Sequence, residues 1–351
     1  MFLPLTDASP HAGRNAKPLG RVLLTGGTGF LGGYILQELV EKGYEVVAIR
    51  HSQALPFCIP KTIFEQVEWH SGDVLDLVGL AELMPGIDAV IHAAGKVSFL
   101  RRERKEMAQT NIEGTANLVN LALEGGVRRF IHVSSVAALG RSANGTHVQE
   151  GYPLERIVLN THYARSKFLS EMEVWRAIGE GLPAAIVNPS TILGYGDWNH
   201  SSCAIFKHVY EESPWYSKGV NGFVDVEDVA RAIVLLMESD ISGERFILSA
   251  ENRSFQEIMD LIADGFSRKH PRWNAGPLLS RIAWRWEYLK SGLSGKPPLL
   301  TQETARIARS QTYFENDKML RSFPGFGFRS LSETISRSCQ SYLDSLKAAG
   351  G

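Results

Sequence analysis

The sequence predicts an α/β fold, a Rossmann-type doubly wound parallel sheet carrying a smaller, mostly helical C-terminal lobe. Three observations carry that expectation. Six short apolar runs alternate with helix-like stretches up to residue 190. The first run passes directly into a glycine-rich turn between Arg21 and Gly33. Past residue 190 the alternation loosens into aromatic sequence broken by glycines and prolines.

Residues 22–24 form the first strand, and a helical pattern runs on through Val40. Between them Gly26, Gly29 and Gly32 stand three apart, a G-x-x-G-x-x-G spacing. Such glycines permit a turn at positive φ, a close backbone approach to a pyrophosphate, and tight packing of helix on strand. The helix N-terminus then faces the phosphates with its backbone N–H groups. A glycine-rich βα turn without a ligand would read the same way, so the motif needs support from further along.

The second strand, residues 45–50, ends in Arg50. In a dinucleotide fold this strand end lies beside the adenosine ribose, where an acid suits NAD and an arginine suits the 2′-phosphate of NADP. Arg50 therefore points to NADP(H), although only His51 offers a second base before Lys61. Residues 67–70 form a third strand, and Asp73 after it is placed to accept from an adenine amino group or to cap a turn. The fourth strand, from Asp88, runs into the small residues Ala93, Ala94 and Gly95, against which a cofactor can lie.

Residues 103–125 carry helical periodicity and include Asn111. The bases Arg101, Arg102, Arg104 and Lys105 precede that helix, either as a solvated face or as a mark of an anionic ligand. A fifth strand, 128–133, delivers Ser134 and Ser135 to its carboxyl end. A long amphipathic helix follows over 161–178, then a sixth strand over 184–188. A further helix starts at Asn221, and residues 245–249 offer one more strand. The domain reading is a tail over 1–19, a dinucleotide-binding unit over 20–190 rejoined by 223–250, and a lobe built from 191–222 and 251–351. Pro271, Pro277, Pro297, Pro298 and Pro324 interrupt that lobe.

Composition narrows the class. Of 351 residues, 44% are hydrophobic and 21% charged, and the formal net charge of -1 gives no electrostatic case for nucleic acid or a membrane surface. Cys58, Cys203 and Cys339 fit no disulfide or metal spacing, which favours a reducing, cytoplasmic setting. Residues 1–19 read as a flexible tail rather than a signal peptide, and no apolar stretch is long enough to span a bilayer.

Tyr163 and Lys167 carry the chemistry. Four apart on one helix, they share a face. A tyrosine titrates near 10 and is a poor base at neutral pH. An ammonium one turn away is expected to lower that value, so the pair can exchange a proton with a carbonyl or alcohol oxygen as hydride moves. A strand-end serine would hold the same oxygen.

Thr25 to Gly32, Asp73, His92-Ala-Ala94, Val133-Ser-Ser135, Tyr163-x-x-x-Lys167 and Asn188-Pro-Ser190 together resemble the extended short-chain dehydrogenase/reductase family. Ile49-Arg50 and the stretch from Val187 to Gly194 look closest to its dihydroflavonol-reductase and cinnamoyl-CoA-reductase-like branch. The resemblance covers about residues 20 to 250 and implies Tyr163 as acid/base, Lys167 on the nicotinamide ribose, Ser135 rather than Ser134 as the catalytic serine, and Asn111 shaping the site. It also implies cofactor contacts from Gly26, Thr28, Gly29, Phe30, Leu31, Gly32, Arg50, Asp73, Val74, Ala93, Ala94, Gly95, Val133, Pro189 and Ile192.

The expected reaction is NADP(H)-dependent reduction of a ketone or aldehyde, or its reverse, with no metal. The aromatic residues of 195–222 either receive an apolar or aromatic substrate or simply pack the lobe. A nucleotide-sugar epimerase or dehydratase with tightly held NAD is the alternative. Such an enzyme needs bases such as Arg231, Arg245, Lys207 and Lys218 for a second diphosphate. A non-catalytic dinucleotide sensor is a third reading, which the retained Tyr–Lys pair disfavours. A homodimer through the long fourth and fifth helices would be normal for the family.

Overall fold

A computed structural model describes residues 19–51, 57, 59–140, 145, 147–151, 159, 161–276 and 308–350. The expected N-terminal tail, Cys58 and the breaks at Pro277, Pro297 and Pro298 lie outside the described residues. The six apolar runs are strands β1 (Arg21–Thr25), β2 (Glu45–Arg50), β3 (Glu68–Ser71), β4 (Ala89–His92), β5 (Arg129–Val133) and β6 (Ala184–Pro189). Then come β7 (Thr191–Leu193), β8 (Val220–Asp225), β9 (Glu244–Leu248) and β10 (Glu251–Ser254). Seven of them make one parallel sheet in the order β9-β6-β5-β4-β1-β2-β3. The chain steps outward from β1 to β3 and returns at β4, so the topological switch lies between β1 and β4. Ligands of open α/β sheets bind at that crevice.

Strand periodicity explains the layering. Val22 and Leu24 face one side with Val46 and Ala48, under helices α1 (Phe30–Glu41) and α5 (Val226–Glu238). Leu23, Val47 and Val90 face the other side. There they meet α2 (Leu77–Leu83), α3 (Gly114–Glu124) and α4 (His162–Gly179). Because both faces are covered, the strands are nearly continuous apolar runs.

Two expected helices differ in detail. The segment over 103–125 is not one helix: residues Gln109–Glu113 form a π turn, and α3 begins at Gly114. The helix expected from Asn221 starts only at Val226, because Val220–Asp225 is strand β8. Asp225 stops the strand and caps the helix, its carboxylate accepting from the Glu227 N–H at 2.7 Å. Gly222 lets β8 press on the main sheet, since a Cβ there would lie 2.4 Å from Ser249 Oγ.

The C-terminal lobe joins the sheet through a small layer, β10-β8-β7. Its own core contains α6 (Phe255–Phe266) and α7 (Leu331–Gly350). Tyr195, Trp198 and Phe206 all pack on Tyr342 of α7, and Tyr210 packs on Phe266 of α6. These rings therefore fill the lobe core. Arg329 fastens the lobe to the start of α5, donating to Asp225 and Glu227 at 3.0 Å each.

Candidate functional site

The site forms where β1, β4, β5 and α4 converge at the carboxyl edge of the sheet. Gly26 ends β1 at φ +76, and a Cβ there would lie 2.6 Å from the Ala94 nitrogen. At Gly32 an added Cβ would sit 1.8 Å from the Gly26 carbonyl oxygen. At Gly26 and Gly32 the turn is thus wedged against backbone, with no space for a side chain. Gly29 is the N-cap of α1, no side chain caps that end, and its first turn holds no acid. Such an uncapped helix N-terminus leaves its backbone N–H groups available to an anion. Thr28 and Leu31 border the turn half-buried, while Phe30 packs toward Gly194 and Gly196.

A buried histidine ties this loop to the neighbouring elements. His92 Nε2 lies 3.0 Å from Thr115 Oγ1, which itself donates to the Asn111 carbonyl at 2.6 Å. Thr115 must therefore accept from His92, leaving Nδ1 bare to accept from Thr25 Oγ1 at 2.7 Å. Thr25 Oγ1 in turn accepts from the Ala94 N–H at 3.2 Å. The chain of bonds is complete with His92 neutral, and burial, reinforced by the Lys167 charge, pushes its pKa down to about 3. The sequence showed His92 only as part of a motif.

One pH prediction follows from that neutral ring. Unfolded, His92 takes a proton near pH 6.5, whereas the native ring refuses it until about pH 3, so its contribution to stability falls as pH drops through that window. The loss amounts to about 2 kcal/mol at pH 5. In a His92→Gln variant, the decline of unfolding free energy between pH 7 and 5 should be shallower than in the wild type, read by denaturant titration.

At the end of β2 the Arg50 guanidinium lies 5.7 Å from the centroids of both Phe64 and Trp69, and Arg50 Nε has no hydrogen-bond partner. Asp73 accepts from the Leu75 N–H at 3.0 Å and pairs with His51 at 2.8 Å. That contact holds the His51 imidazole above its usual pKa. Val74 is buried and packs against Gly114. Pro189 closes β6, and Ile192 lies in β7 opposite Val224.

The reacting end is built by β5 and α4. Strand alternation sends the two serines apart: Ser134 Oγ points inward to Glu171 Oε1 at 2.5 Å. Ser135 instead accepts from the Ala137 N–H and hydrogen-bonds Tyr163. Thr161 caps α4 through the Ala164 N–H at 2.9 Å, which starts the helix so that Tyr163 and Lys167 face the strand ends. Phe99 meets the Tyr163 ring edge-on. Lys167 is buried and its Nζ donates to the Val133 carbonyl at 2.9 Å. Gly95 makes room for it, since a Cβ there would come within 3.1 Å of Nζ and 3.4 Å of Asn111 Oδ1. Asn111, in the π turn, accepts from Lys96 N at 2.7 Å and donates to Lys96 O and Ser166 Oγ. π turns recur where a helix must aim a side chain into a site.

The expected lowering of the Tyr163 pKa is corrected by the structure. Burial raises the phenol above its ordinary value, against an opposing pull from Ser135. Burial also brings Lys167 down to about 8, with the charge of Glu171 opposing. Within the basic run before the π turn, Arg102 lies near Glu103 at 3.7 Å.

Residues 22–248 match the family model described as NAD dependent epimerase/dehydratase family. The chain belongs to that family. Within it, this epimerase/dehydratase-family chain is 28% identical over 308 residues to the "Putative dihydroflavonol 4-reductase" of Synechocystis sp., covering 85% of this chain and 88% of the relative. Against cinnamoyl-CoA reductase 1 of Petunia hybrida the identity is 27% over 259 residues, covering 70% and 77% of the two chains. Both relatives carry names of the branch that the sequence motifs resemble. The fold of this chain superposes on the solved structure of gox2253 with TM-score 0.75 and 28% identity, over 92% of this chain and 98% of the other. UDP-glucose 4-epimerase of Thermotoga maritima superposes with TM-score 0.74 at 19% identity, over 93% and 99%, a likeness of fold. Among the described residues, no helix is long and apolar enough to cross a membrane.

Proposed function

We propose that this family member is an NADP(H)-dependent oxidoreductase that reduces a ketone or aldehyde, or oxidises the corresponding alcohol. One observation carries the reading: Ser135, Tyr163 and Lys167 meet at the sheet edge beside a glycine turn with no room for a side chain at Gly26 or Gly32. The glycine turn and the N-terminus of α1 would hold the pyrophosphate, and Lys167 the nicotinamide ribose. Bound nicotinamide supplies or accepts the hydride. Ser135 orients the substrate oxygen by a hydrogen bond, and the Tyr163 hydroxyl gives that oxygen its proton in the reducing direction. A phenol held above its ordinary pKa keeps its proton at neutral pH and is suited to donate it. In the reverse direction the same oxygen must be deprotonated, so alcohol oxidation is expected to speed up as pH rises.

Arg50 supports a preference for NADP(H). It stands at the β2 end with its guanidinium braced by two rings, a group suited to a phosphate. The substrate class, an apolar or aromatic carbonyl, rests on the names of the reductase relatives, because the rings of 195–210 pack the lobe. We place the enzyme in the cytoplasm, as a homodimer. The epimerase alternative is less well supported. Arg231 is held by Asp228 at 2.5 Å, and Arg245 lies 3.4 Å from buried Glu171, so neither lines a diphosphate site.

Titrating NADPH and NADH against nicotinamide fluorescence tests the reading. Tighter NADPH binding is expected, and Arg50→Asp should weaken NADPH by about 10- to 100-fold while leaving NADH nearly unchanged. Tightly retained NAD with no phosphate preference would favour the epimerase class. Binding of neither nucleotide would remove the oxidoreductase reading altogether.

A further inference from the structure

Beneath the proton-transfer pair lies a carboxylate that the proposed reaction does not use. Glu171 is fully buried, one helical turn beyond Lys167 on α4. Its Oε1 accepts from Ser134 Oγ at 2.5 Å and from Asn188 Nδ2 at 2.6 Å. Its Oε2 has no hydrogen bond and faces the Arg245 guanidinium at 3.4 Å, from the edge strand β9. Arg245 is itself seated on the Trp175 ring. Burying a carboxylate is costly, and a core position of this kind is normally apolar. Two donors and a cation, from three different segments, converge on this one and favour its anion.

The connections lead to the reacting groups by two routes. Asn188 also donates to the Ser135 carbonyl at 3.0 Å, so Glu171 grips both residues of the Ser134–Ser135 strand end, one directly and one through Asn188. The second route is charge. Lys167 has two neutral histidines near it, His92 from β4 and His132 from β5, and donates to the Val133 carbonyl. Among the groups facing it from these strands and from its own helix, Glu171 carries the negative charge. His132 bonds Ser170 on α4 and brings no compensating anion.

We propose that Glu171 is a positioning residue for the Tyr163–Lys167 pair, locking the Ser135 strand end through Ser134 and Asn188 and supplying the negative charge that faces the Lys167 ammonium. The proposal deepens the oxidoreductase reading and rests on it for its consequence in turnover. Its physical content, though, concerns Lys167 alone and can be read without cofactor. Burial drives Lys167 toward losing its proton, and Glu171 opposes that drive. Removing the charge at Glu171 must therefore lower the pH at which the ammonium titrates. Burial raises the Glu171 carboxyl above its usual range, and Arg245, Ser134 and Asn188 oppose that rise. Losing Ser134 lets that carboxyl take a proton more readily and acts in the same direction.

The test follows the Lys167 side chain by NMR of isotope-labelled lysine in the full chain, titrated through the neutral and alkaline range. The resonance is assigned by its disappearance in Lys167→Met. Glu171→Gln, close in shape to the native side chain, should lower the Lys167 midpoint by about one pH unit. Ser134→Ala should lower it by less. Should Glu171→Gln fail to fold, Ser134→Ala decides. An unmoved midpoint in the folded variants would overturn the assignment of Glu171, whatever the enzyme's reaction. NADPH binding by the same samples is scored separately: wild-type protein that binds no nucleotide removes the oxidoreductase reading and leaves the lysine result standing.

Discussion

Replacing Tyr163 by phenylalanine is expected to lower turnover by about 10²- to 10⁴-fold, the usual worth of a positioned acid/base, while NADPH affinity changes little. The ring stays where it is, because Phe99 packs edge-on against it and α4 is held by its Thr161 cap. Only the hydroxyl is lost, and with it the group that Ser135 bonds. Steady-state kinetics with the carbonyl that the wild type accepts, beside a nucleotide titration, separates the two effects. Equal loss of binding and turnover would mean that the tyrosine shapes the pocket and does not move a proton. Full turnover by the variant would end the mechanism set out above.

The second large effect is expected at Gly32. An alanine Cβ there would lie 1.8 Å from the Gly26 carbonyl oxygen and 2.6 Å from its carbon. Both contacts are with backbone, so no rotamer relieves them and α1 must move away from β1. That displacement undoes the packing of Leu36 and Ile35 on Val22 and Leu24. A cost of about 3 kcal/mol is expected, at the upper end for overpacking, with Tm lower by about 4 °C and no measurable NADPH binding. Gly27→Ala is the control. Its Cβ would meet Leu24, Leu36 and Trp69 side chains at 3.4–3.5 Å, ordinary contact distances. That variant should melt close to wild type, and calorimetry of the two side by side checks the contrast.

Much of the scaffold was legible because its signals are local. Each of the six apolar runs became a strand within about two residues at its start, and the spacing of Tyr163 and Lys167 put both on one helix face. Where a boundary depended on distant contacts, the local pattern misled. The stretch from Asn221 carries helix-like periodicity, but pairing with Thr191–Leu193 and Glu251–Ser254 makes its first residues a strand. The aromatic residues of 195–222 have the composition of a substrate pocket, but α6 and α7 make core of Tyr195, Trp198, Phe206 and Tyr210, while Trp215 lies exposed against Trp273.

The site divides along the same line. The glycine spacing, Arg50 at a strand end and the Tyr–Lys pair are short-range patterns, and the chain order alone placed them at one edge of a parallel sheet. The sign of the Tyr163 shift is not a short-range property. It depends on how much protein surrounds the phenol, and burial there outweighs the hydrogen bond from Ser135. The division of labour between Ser134 and Ser135 likewise required the strand's orientation against α4. The sequence showed His92 only within a motif and Glu171 not at all, because their partners lie 17 to 74 positions away along the chain. By itself, the sequence determined the order of strands and helices and the residues able to do proton and dinucleotide chemistry, since these follow from spacing along one chain. Only the tertiary structure decided which of those residues face one another and in what protonation state, because burial and charge act through space between segments that the sequence leaves far apart.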